Sequence, residues 1–552
     1  MFSSRITSSL EKCFIGEATE TKPELKEISV LQNEDLSFQF IYRNDGVDSR
    51  FDGFADIEVK SDIGGTVSVR TVEQTVVLLP VIADMCDDAY ISKKPGLYPD
   101  PLLPLHYGGK VPVCENETRS VWIEFKPGDG FVPGRHTVTV TLTLRDTVLT
   151  NELAVTVIPA YLPEQTLMLT QWFHYDCLAT YYGVEVFSER HWQIVENYIK
   201  TAVENGINMI LTPIFTPPLD TRIGGERETV QLIGVKVTES GYEFDFSLLH
   251  RFIAMCKRLG VKYYEIAHLF TQWGACHAPK IMADVDGEQK RIFGWETDSC
   301  GAEYRAFLAA FLPQLIAELK AEGVDQNCRF HISDEPHGEQ IAKYKEAKAG
   351  VEELLKGYKI MDALSDIEFY KQGVITSPVP ACDWIEPFYE AGVPELWTYY
   401  CCGQHTNVPN RFIAMPSYRN RIIGFLFYKY NVKGFLQWGY NFYNNQGSVD
   451  PISPYITAAC DYFAQAGDAF SVWPAQNGQA YESLRIRVFH EAIADMRALQ
   501  LCESLYGREF TLKLLEEDAE RPLKFADFPH SAEYIIKTRE KINRAIAEKA
   551  GV

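Results

Sequence analysis

The chain has 552 residues, 46% of them hydrophobic, which is enough for two or three domains with large packed cores. Its net charge of −22 argues against a nucleic-acid partner or an anionic membrane surface, since both attract basic proteins. No apolar run is long enough to span a membrane, and the first residues lack a signal-peptide pattern. Together with thirteen cysteines that show no CxxC spacing, this predicts a cytoplasmic protein with reduced thiols.

Residues 1–160 have the pattern of a β-sandwich domain. The clearest strand is 137–144, where threonine alternates with valine or leucine at the period of a half-buried strand. Further strand-like runs lie at 28–42, 66–81, 121–125 and 149–158. The proline-rich segment 95–104 predicts a rigid surface loop, with contact against the neighbouring domain as the alternative.

From residue 165 to residue 500, strand-like runs alternate with longer helical ones, the order typical of a (β/α)8 barrel of the TIM type. The predicted strands are 167–173, 208–215, 263–270, 328–333, 358–363, 396–400, 434–439 and 469–473. The predicted helices include 188–206, 248–259, 304–319, 339–355, 421–430 and 482–501. Residues 501–552 predict a helical C-terminal extension, so the fold class is a multi-domain α/β protein with a sandwich, a barrel and this extension.

Two acids, Asp334 and Glu335, stand side by side at the expected end of the fourth barrel strand and are followed by Pro336. Successive strand residues point to opposite faces, so both carboxylates can reach one cleft only where the chain leaves the sheet. A proline fits such an exit because it cannot donate to a strand ladder. Alone, the pair is more typical of a solvated turn or a helix N-cap. At the C-terminal end of a barrel strand, it indicates acid/base chemistry on sugars.

The other predicted strand ends carry aromatic, amide and histidine side chains. These suit a sugar, because rings stack on the apolar face of a pyranose and polar groups bond its hydroxyls. Each aromatic alone is more typical of a core, and the clustering at one end of the barrel is what indicates a site. The predicted substrate-binding residues are Trp172, His174, His268, Trp273, Tyr399, Tyr400, Gln437, Trp438, Tyr440 and Asn441.

The expected end of the seventh strand, 437–441, holds no carboxylate, although several sugar-cleaving barrels place a nucleophilic acid there. The adjacent acids suggest another route, in which the 2-acetamido oxygen of the substrate is the nucleophile. Glu335 would protonate the leaving oxygen. Asp334 would hold the acetamido N–H and stabilise an oxazolinium-like intermediate.

The stretch His331-Ile-Ser-Asp-Glu-Pro336 resembles the catalytic motif of glycoside hydrolase family 123 and of the wider set that shares its catalytic domain (domain of unknown function 4091). Further stretches agree with this family: 98–104, 204–208, 434–439, 482–487 and 491–495. The resemblance covers both the sandwich and the barrel and implies that order of domains. It also implies an exo-acting, retaining β-N-acetylgalactosaminidase that uses substrate-assisted catalysis.

On the family pattern, Asp334 orients the acetamido group and Glu335 is the general acid/base. A tyrosine that bonds the acetamido oxygen is expected, with Tyr399, Tyr400 and Tyr440 as the candidates. The expected partner is an oligosaccharide or a glycoconjugate, and the oligomeric state is left open.

Two other functions stay open on the sequence. One is a glycosidase for a sugar without an acetamido group, which needs a separate carboxylate nucleophile, with Asp176, Asp362 and Asp366 as candidates. The other is a carbohydrate-binding protein without catalysis.

Neither a metal nor a cofactor is expected. His268, Cys276 and His277 are close in sequence, but their spacing matches no zinc pattern. The chain also lacks a glycine-rich phosphate loop and a nucleophile elbow of the G-x-S-x-G kind.

Overall fold

The first third of the chain consists of β-strands. In the computed structural model, residues 2–46, 53–82, 86–105 and 108–551 are described. The first ten strands are β1 (Phe2–Ser8), β2 (Glu27–Leu31), β3 (Leu36–Asn44), β4 (Phe54–Lys60), β5 (Thr66–Val77), β6 (Gly96–Pro104), β7 (Lys110–Pro112), β8 (Thr118–Lys126), β9 (Gly134–Leu144) and β10 (Thr147–Ile158). They form two sheets, in the orders β1-β3-β8-β5-β6 and β2-β10-β9-β4-β7. Phe38 and Ile123 of one sheet share a core with Val138 and Leu153 of the other, so the predicted β-sandwich is confirmed.

The proline-rich segment is the strand β6, and the prediction of a loop at 95–104 is wrong. β6 lies at the edge of its sheet, where prolines are tolerated because they need not donate to a neighbour. It also contacts the second half of the chain. Asp100 is buried and accepts hydrogen bonds from Arg485 (2.8 and 2.9 Å) and from the Trp473 indole (2.9 Å). The alternative expectation, contact with the neighbouring domain, is therefore what the structure has.

The remaining strands follow in chain order. They are β11 (Met168–Gln171), β12 (Met209–Thr212), β13 (Gly234–Thr238), β14 (Gly241–Asp245), β15 (Tyr263–Ile266), β16 (Ile281–Val285), β17 (Glu288–Phe293), β18 (Cys328–Phe330), β19 (Lys359–Ala363), β20 (Ser377–Val379), β21 (Trp397–Tyr399), β22 (Gly434–Gln437), β23 (Trp473–Pro474) and β24 (Ala480–Tyr481). Eight of them pair in the order β20-β19-β18-β15-β12-β11-β22-β21. A parallel bridge from Ala381 to Tyr399 joins the two ends, so the sheet is a nearly closed parallel barrel, as predicted.

Two of the predicted barrel strands need correction. The sixth strand is β20, which the sequence analysis missed because Pro378 lies inside it and a proline argues against a strand. The predicted strand at 469–473 is not part of the barrel; β23 pairs with β24 in a separate two-stranded sheet. That run is apolar because it is buried, and a short buried run cannot be distinguished from a strand by its pattern. The segments predicted as strands six and seven are therefore the seventh and eighth strands, β21 and β22.

Helices follow the barrel strands, and a few of their ends are fixed by clear capping residues. The α-helices are α1 (Tyr175–Tyr182), α2 (Glu189–Glu204), α3 (Ser247–Leu259), α4 (Ala302–Ala321), α5 (Ile341–Ala349), α6 (Ile367–Lys371), α7 (Ile385–Glu390), α8 (Tyr418–Arg421), α9 (Ile423–Lys429), α10 (Leu484–Tyr506), α11 (Arg508–Glu516) and α12 (Ala532–Ala550). Ser188 caps α2 by accepting from the His191 amide, and Gly260 ends α3 with φ 92°. The predicted helix 339–355 is shorter than expected, since α5 ends at Ala349. Within the described ranges, no helix is long and apolar enough to cross a membrane.

Candidate active site

The backbone at the end of β18 determines where the two neighbouring acids point. The Trp273 amide donates to the Asp334 carbonyl (2.8 Å), and the Glu335 amide donates to the Ala363 carbonyl (3.0 Å). These bonds hold the segment between the chain that follows β15 and the end of β19. Glu335 then takes a left-handed conformation with φ 42°, which is uncommon for a residue with a side chain. Because the chain leaves the sheet here, both carboxylates line the same cavity.

This inner cavity has a volume of about 180 Å³ and lies at the C-terminal ends of the barrel strands. Six of the twelve predicted site residues line it: Trp172, Trp273, Asp334, Glu335, Tyr399 and Trp438. Seven further residues line the inner cavity and are not among the predicted site residues: Asp220, Gln272, Ala363, Cys401, Cys402, Leu436 and Phe463. Three tryptophans and three carboxylates around one small space suit a ligand that has both apolar faces and hydroxyl groups.

One of the three candidate tyrosines reaches the acids. The Tyr399 hydroxyl donates a 2.6 Å hydrogen bond to Glu335 Oε1. Tyr400 instead donates to Asn420 (3.2 Å), and Tyr440 donates to the Tyr198 carbonyl (2.9 Å). Tyr399 is therefore the tyrosine that the structure brings to the cavity.

Asp334 is held in an environment that disfavours its charge. Its Oδ1 is buried and has no hydrogen-bond partner within the described part of the chain. Burial raises the pKa of Asp334 well above its usual range, and the neighbouring carboxylates of Glu335 and Asp220 raise it further. A sugar N–H placed at this oxygen would supply the missing partner and favour the charged form.

A buried ionic network adjoins the pair. His331 Nε2 donates to Glu265 (2.7 Å) and its Nδ1 donates to Asp362 (3.0 Å), and all three side chains are fully buried. Burial alone would lower the pKa of His331, but its bonds to Asp362 and Glu265 raise it to about 10. Glu265 also accepts from the Trp172 indole (2.7 Å), and Asp362 accepts from the Tyr344 hydroxyl (2.5 Å). The network thus places the His331 ring between two carboxylates close to Asp334, where His331 lowers and Asp362 raises the pKa of Asp334, and it fixes the Trp172 ring.

The group formed by His268, His331 and Asp362 has the composition of a metal site, with ligand atoms within 4.8 Å of one another. In this structure, both ring nitrogens of His331 lie at carboxylates, Nε2 at Glu265 (2.7 Å) and Nδ1 at Asp362 (3.0 Å). His268 stacks on His331 with ring centroids 4.2 Å apart, and burial lowers the pKa of His268 well below its usual range. Both ring nitrogens of His268 are buried without a hydrogen-bond partner among the described residues, so packing on the His331 and Trp172 rings positions it.

Four predicted residues do not line the inner cavity but support it. His174 is buried, accepts from Arg227 (3.0 Å) and donates to the Trp438 carbonyl (2.9 Å); burial and the Arg227 charge lower its pKa to about 3. The Asn441 amide forms two hydrogen bonds with the His174 backbone (2.9 and 3.0 Å). Gln437 accepts from the Gly439 amide (2.6 Å), and Tyr440 packs against Phe173.

The structure gives a different role to each of the three acids that are candidates for a separate carboxylate nucleophile. Asp176 is buried in a bidentate ion pair with Arg227, with distances of 2.6 and 2.7 Å. Asp362 is fully buried within the His331 network. Asp366 is exposed and caps α6, lining a neighbouring cavity rather than the inner one.

The third carboxylate at the inner cavity is Asp220, which the sequence analysis missed. It follows β12 in a long loop and has φ 49°. Its amide donates to Gln272 (2.7 Å), and its carbonyl accepts from Ser448 (2.8 Å). Burial, with a contribution from Glu335, raises its pKa to about 7. No periodicity or motif marks this position, so only the folded loop reveals it.

A parallel barrel with adjacent acids after its fourth strand, in a cavity rich in aromatic rings, defines the class of barrel enzymes that cleave glycosidic bonds. Residues 172–502 match the model of the glycoside hydrolase 123 catalytic domain, so the chain belongs to glycoside hydrolase family 123. The protein is thus a glycoside hydrolase, as predicted. No curated protein matches the chain.

One solved structure shares this fold over the whole chain. A family 123 glycoside hydrolase from Clostridium perfringens, described for glycolipid glycan hydrolysis, covers 100% of this chain and 99% of its own. The TM-score is 0.75 and the sequence identity is 16%, so the similarity between the two chains is one of fold. A β-glucuronidase from Parabacteroides merdae covers 89% of this chain and 51% of its own, with 12% identity and a TM-score of 0.33. An endo-β-1,4-mannanase from Thermotoga petrophila covers 60% of this chain and 77% of its own, with 11% identity and a TM-score of 0.32.

Proposed function

We propose that this protein is an exo-acting, retaining β-N-acetylgalactosaminidase that uses the substrate's 2-acetamido group as its nucleophile. Glu335 is the general acid, and then the general base, at the glycosidic oxygen. Asp334 accepts the acetamido N–H and stabilises the positive charge of the oxazolinium-like intermediate. The preference for the galacto configuration is supported by the resemblance of the motif around Asp334 to family 123.

The observation that carries the proposal is the unequal environment of the two acids. Asp334 has a buried oxygen that no other described residue bonds, while Glu335 accepts a hydrogen bond from Tyr399. A carboxylate that lacks a partner in the empty site is suited to a donor that arrives with the substrate. Upon binding, Tyr399 can transfer its hydrogen bond from Glu335 to the acetamido oxygen, which frees Glu335 to donate its proton.

The test is a series of aryl β-N-acylgalactosaminides with zero to three fluorine atoms on the acyl group. Fluorine makes the carbonyl oxygen less nucleophilic, so kcat/KM should fall steeply along the series. Asp334→Asn should lower kcat by roughly 10²–10³-fold, the usual cost of removing one electrostatic stabiliser. Glu335→Gln should lower the rate on a natural disaccharide by roughly 10²–10⁴-fold and cost far less on an activated aryl leaving group.

Glu339→Gln is the matched control, because Glu339 is an exposed acid four residues after Glu335. It should leave all these rates unchanged. A flat fluorine series would refute acetamido participation. An Asp334→Asn variant as active as the wild type would refute the role of Asp334.

A second candidate, a glycosidase that uses a separate carboxylate nucleophile, is favoured by the position of Asp220 in the inner cavity. It predicts turnover of hexosides that lack an acetamido group. It also predicts that a 2-deoxy-2-fluoroglycoside labels Asp220 covalently, which peptide mass spectrometry detects. The proposed function predicts no such adduct, and a Kd effect rather than a loss of chemistry in Asp220→Asn.

A further inference from the structure

Asp468 is a fully buried acid that lies behind the wall of the inner cavity and takes no part in the proposed chemistry. It is not among the residues that line the cavity. The chain that follows it packs against the end of β22. The Phe442 amide donates to the Ala469 carbonyl (3.1 Å), and the Ser471 amide donates to the Tyr440 carbonyl (3.0 Å). These backbone bonds bring the Asp468 carboxylate to the strand end from which the cavity wall is built.

Both oxygens of the Asp468 carboxylate accept hydrogen bonds from that strand end. The Trp438 indole N–H donates to Oδ2 (3.0 Å), and the Gln437 side-chain amide donates to Oδ1 (3.2 Å). The buried Arg411 guanidinium donates to the Asp468 carbonyl (2.9 Å) and to the Gln437 side chain, which fixes the backbone of the acid. Burial raises the pKa of Asp468 to about 6, against the opposing effects of the Arg411 charge and the Trp438 bond. The acid is therefore ionised at pH 7, and its bond to the indole is charge-assisted.

Trp438 presents its ring to the inner cavity. Its other ring contacts are edge contacts with aromatic side chains, at centroid distances of 6.3 Å to His174, 5.1 Å to Phe442 and 5.9 Å to Phe463. Apolar contact has no preferred direction, whereas a hydrogen bond does. The indole has one polar group, its N–H, and that group donates to Asp468. The direction of the ring plane therefore depends on this bond.

We propose that Asp468 is a positioning residue, which holds the Trp438 indole in the orientation that forms one wall of the inner cavity. The inference rests on the proposed function to the extent that the sugar must lie in this cavity. The cavity has a volume of about 180 Å³, so a turn of the Trp438 ring would change its shape substantially. A sugar bound against a turned ring would be misplaced relative to the acids, and small misplacements reduce catalysis strongly.

The test is a double-mutant cycle of Asp468→Asn and Trp438→Phe, measured as kcat/KM on an aryl β-N-acetylgalactosaminide. Asparagine keeps the size of the side chain and removes its charge, and phenylalanine keeps an apolar ring and removes the N–H. Asp468→Asn should lower kcat/KM by about tenfold in the wild type. In Trp438→Phe the same substitution should change kcat/KM by less than about twofold, because no N–H is left to orient.

Asp100→Asn is the matched control, because Asp100 is also fully buried and accepts from an indole, that of Trp473 (2.9 Å), and from Arg485. Neither Asp100 nor Trp473 lines the inner cavity. Asp100→Asn should lower the Tm and leave kcat/KM of the folded protein within about twofold of the wild type.

Equal losses from Asp468→Asn in the two backgrounds would show a role in folding alone and would overturn the proposal, as would an unchanged kcat/KM in the single variant. Asp468→Ser, which is smaller and keeps an acceptor oxygen, takes the place of Asp468→Asn if that variant does not fold by circular dichroism. If neither variant folds, Asp468 is a structural residue and the proposal is wrong. A wild type that cleaves no acetamido sugar would instead refute the proposed function, and the same cycle is then decided with the aryl hexoside that the enzyme does cleave.

Discussion

Replacing His331 by glutamine tests whether the protein holds a buried positive charge next to Asp334 and Glu335. His331 lies between Glu265 and Asp362, and none of the three side chains is exposed. Its pKa rises from 6.5 to about 10 in the folded protein. At about 1.4 kcal/mol per pKa unit, that difference corresponds to a stabilisation on the order of 5 kcal/mol. Removing one partner of a buried ion pair costs a similar amount, about 3–5 kcal/mol.

The pH dependence of this stabilisation follows from the sign of the shift. Because the pKa of His331 is higher in the folded protein, the folded protein binds this proton more tightly than the unfolded chain does. The stabilisation is fully present below pH 6.5 and is lost as the pH rises through about 10. The difference in urea midpoint between the wild type and His331→Gln should therefore be large at pH 6 and should shrink by pH 10. Tryptophan fluorescence measures both midpoints.

The matched control is His250→Gln, since the partly exposed His250 side chain pairs with Glu318 (3.2 Å) and Glu322 (2.8 Å) at the surface of the barrel. It should change the midpoint little at any pH. A difference for His331→Gln that is equal at pH 6 and pH 10 would show that His331 is neutral and would refute the reasoning. A second readout is the acid limb of kcat/KM, which should move to higher pH in His331→Gln, because the His331 charge lowers the pKa of Asp334.

Three further changes have definite expected results. Tyr399→Phe removes the 2.6 Å hydrogen bond to Glu335 and should lower kcat/KM by roughly 10–100-fold, measured with a disaccharide substrate; an unchanged rate would contradict a role at the acid. Asp334→Asn should raise the Tm at pH 7 by about 1–2 °C, because a carboxylate with a raised pKa destabilises the fold as the pH rises through the range between its unfolded and folded pKa values. A lower Tm in calorimetry would reverse the assigned sign. Gly434→Ala should prevent the barrel from forming normally, because a Cβ would lie 2.1 Å from the Trp397 ring; soluble protein with wild-type circular dichroism would refute this close packing.

The sequence predicted the order of sandwich and barrel because both depend on local patterns. Alternating threonine and valine in β9 and the cap at Ser188 are visible without any tertiary contact. The number of barrel strands was right, but their assignment failed at β20, where Pro378 hides a strand, and at 469–473, where a buried loop imitates one. Both errors arise where burial, rather than periodicity, determines the composition.

The residues of the candidate site also fall into two groups, those that local sequence predicts and those that distant contacts place. The Asp334–Glu335 pair could be found because the proposed chemistry uses two acids that are adjacent in sequence. Asp220 could not be found, since it lies in a connection whose path is set by distant contacts, such as the bond from Ser448 to the Asp220 carbonyl. Long-range placement also explains why Tyr399, Tyr400 and Tyr440 could not be separated from sequence, although their hydroxyls lie in three different environments.

The left-handed backbone of Glu335 depends both on the local sequence and on contacts with distant segments. A regular strand would place the side chains of Asp334 and Glu335 on opposite faces, and only one acid could then meet the substrate. The conformation at φ 42° is unfavourable for a residue with a side chain, and the hydrogen bonds to Trp273 and Ala363 on the two flanking segments offset that cost. The same distortion puts Glu335 at the boundary between the inner cavity and the neighbouring cavity that Asp366 lines. The position of the Glu335 carboxylate is therefore a consequence of backbone strain that the two flanking segments maintain.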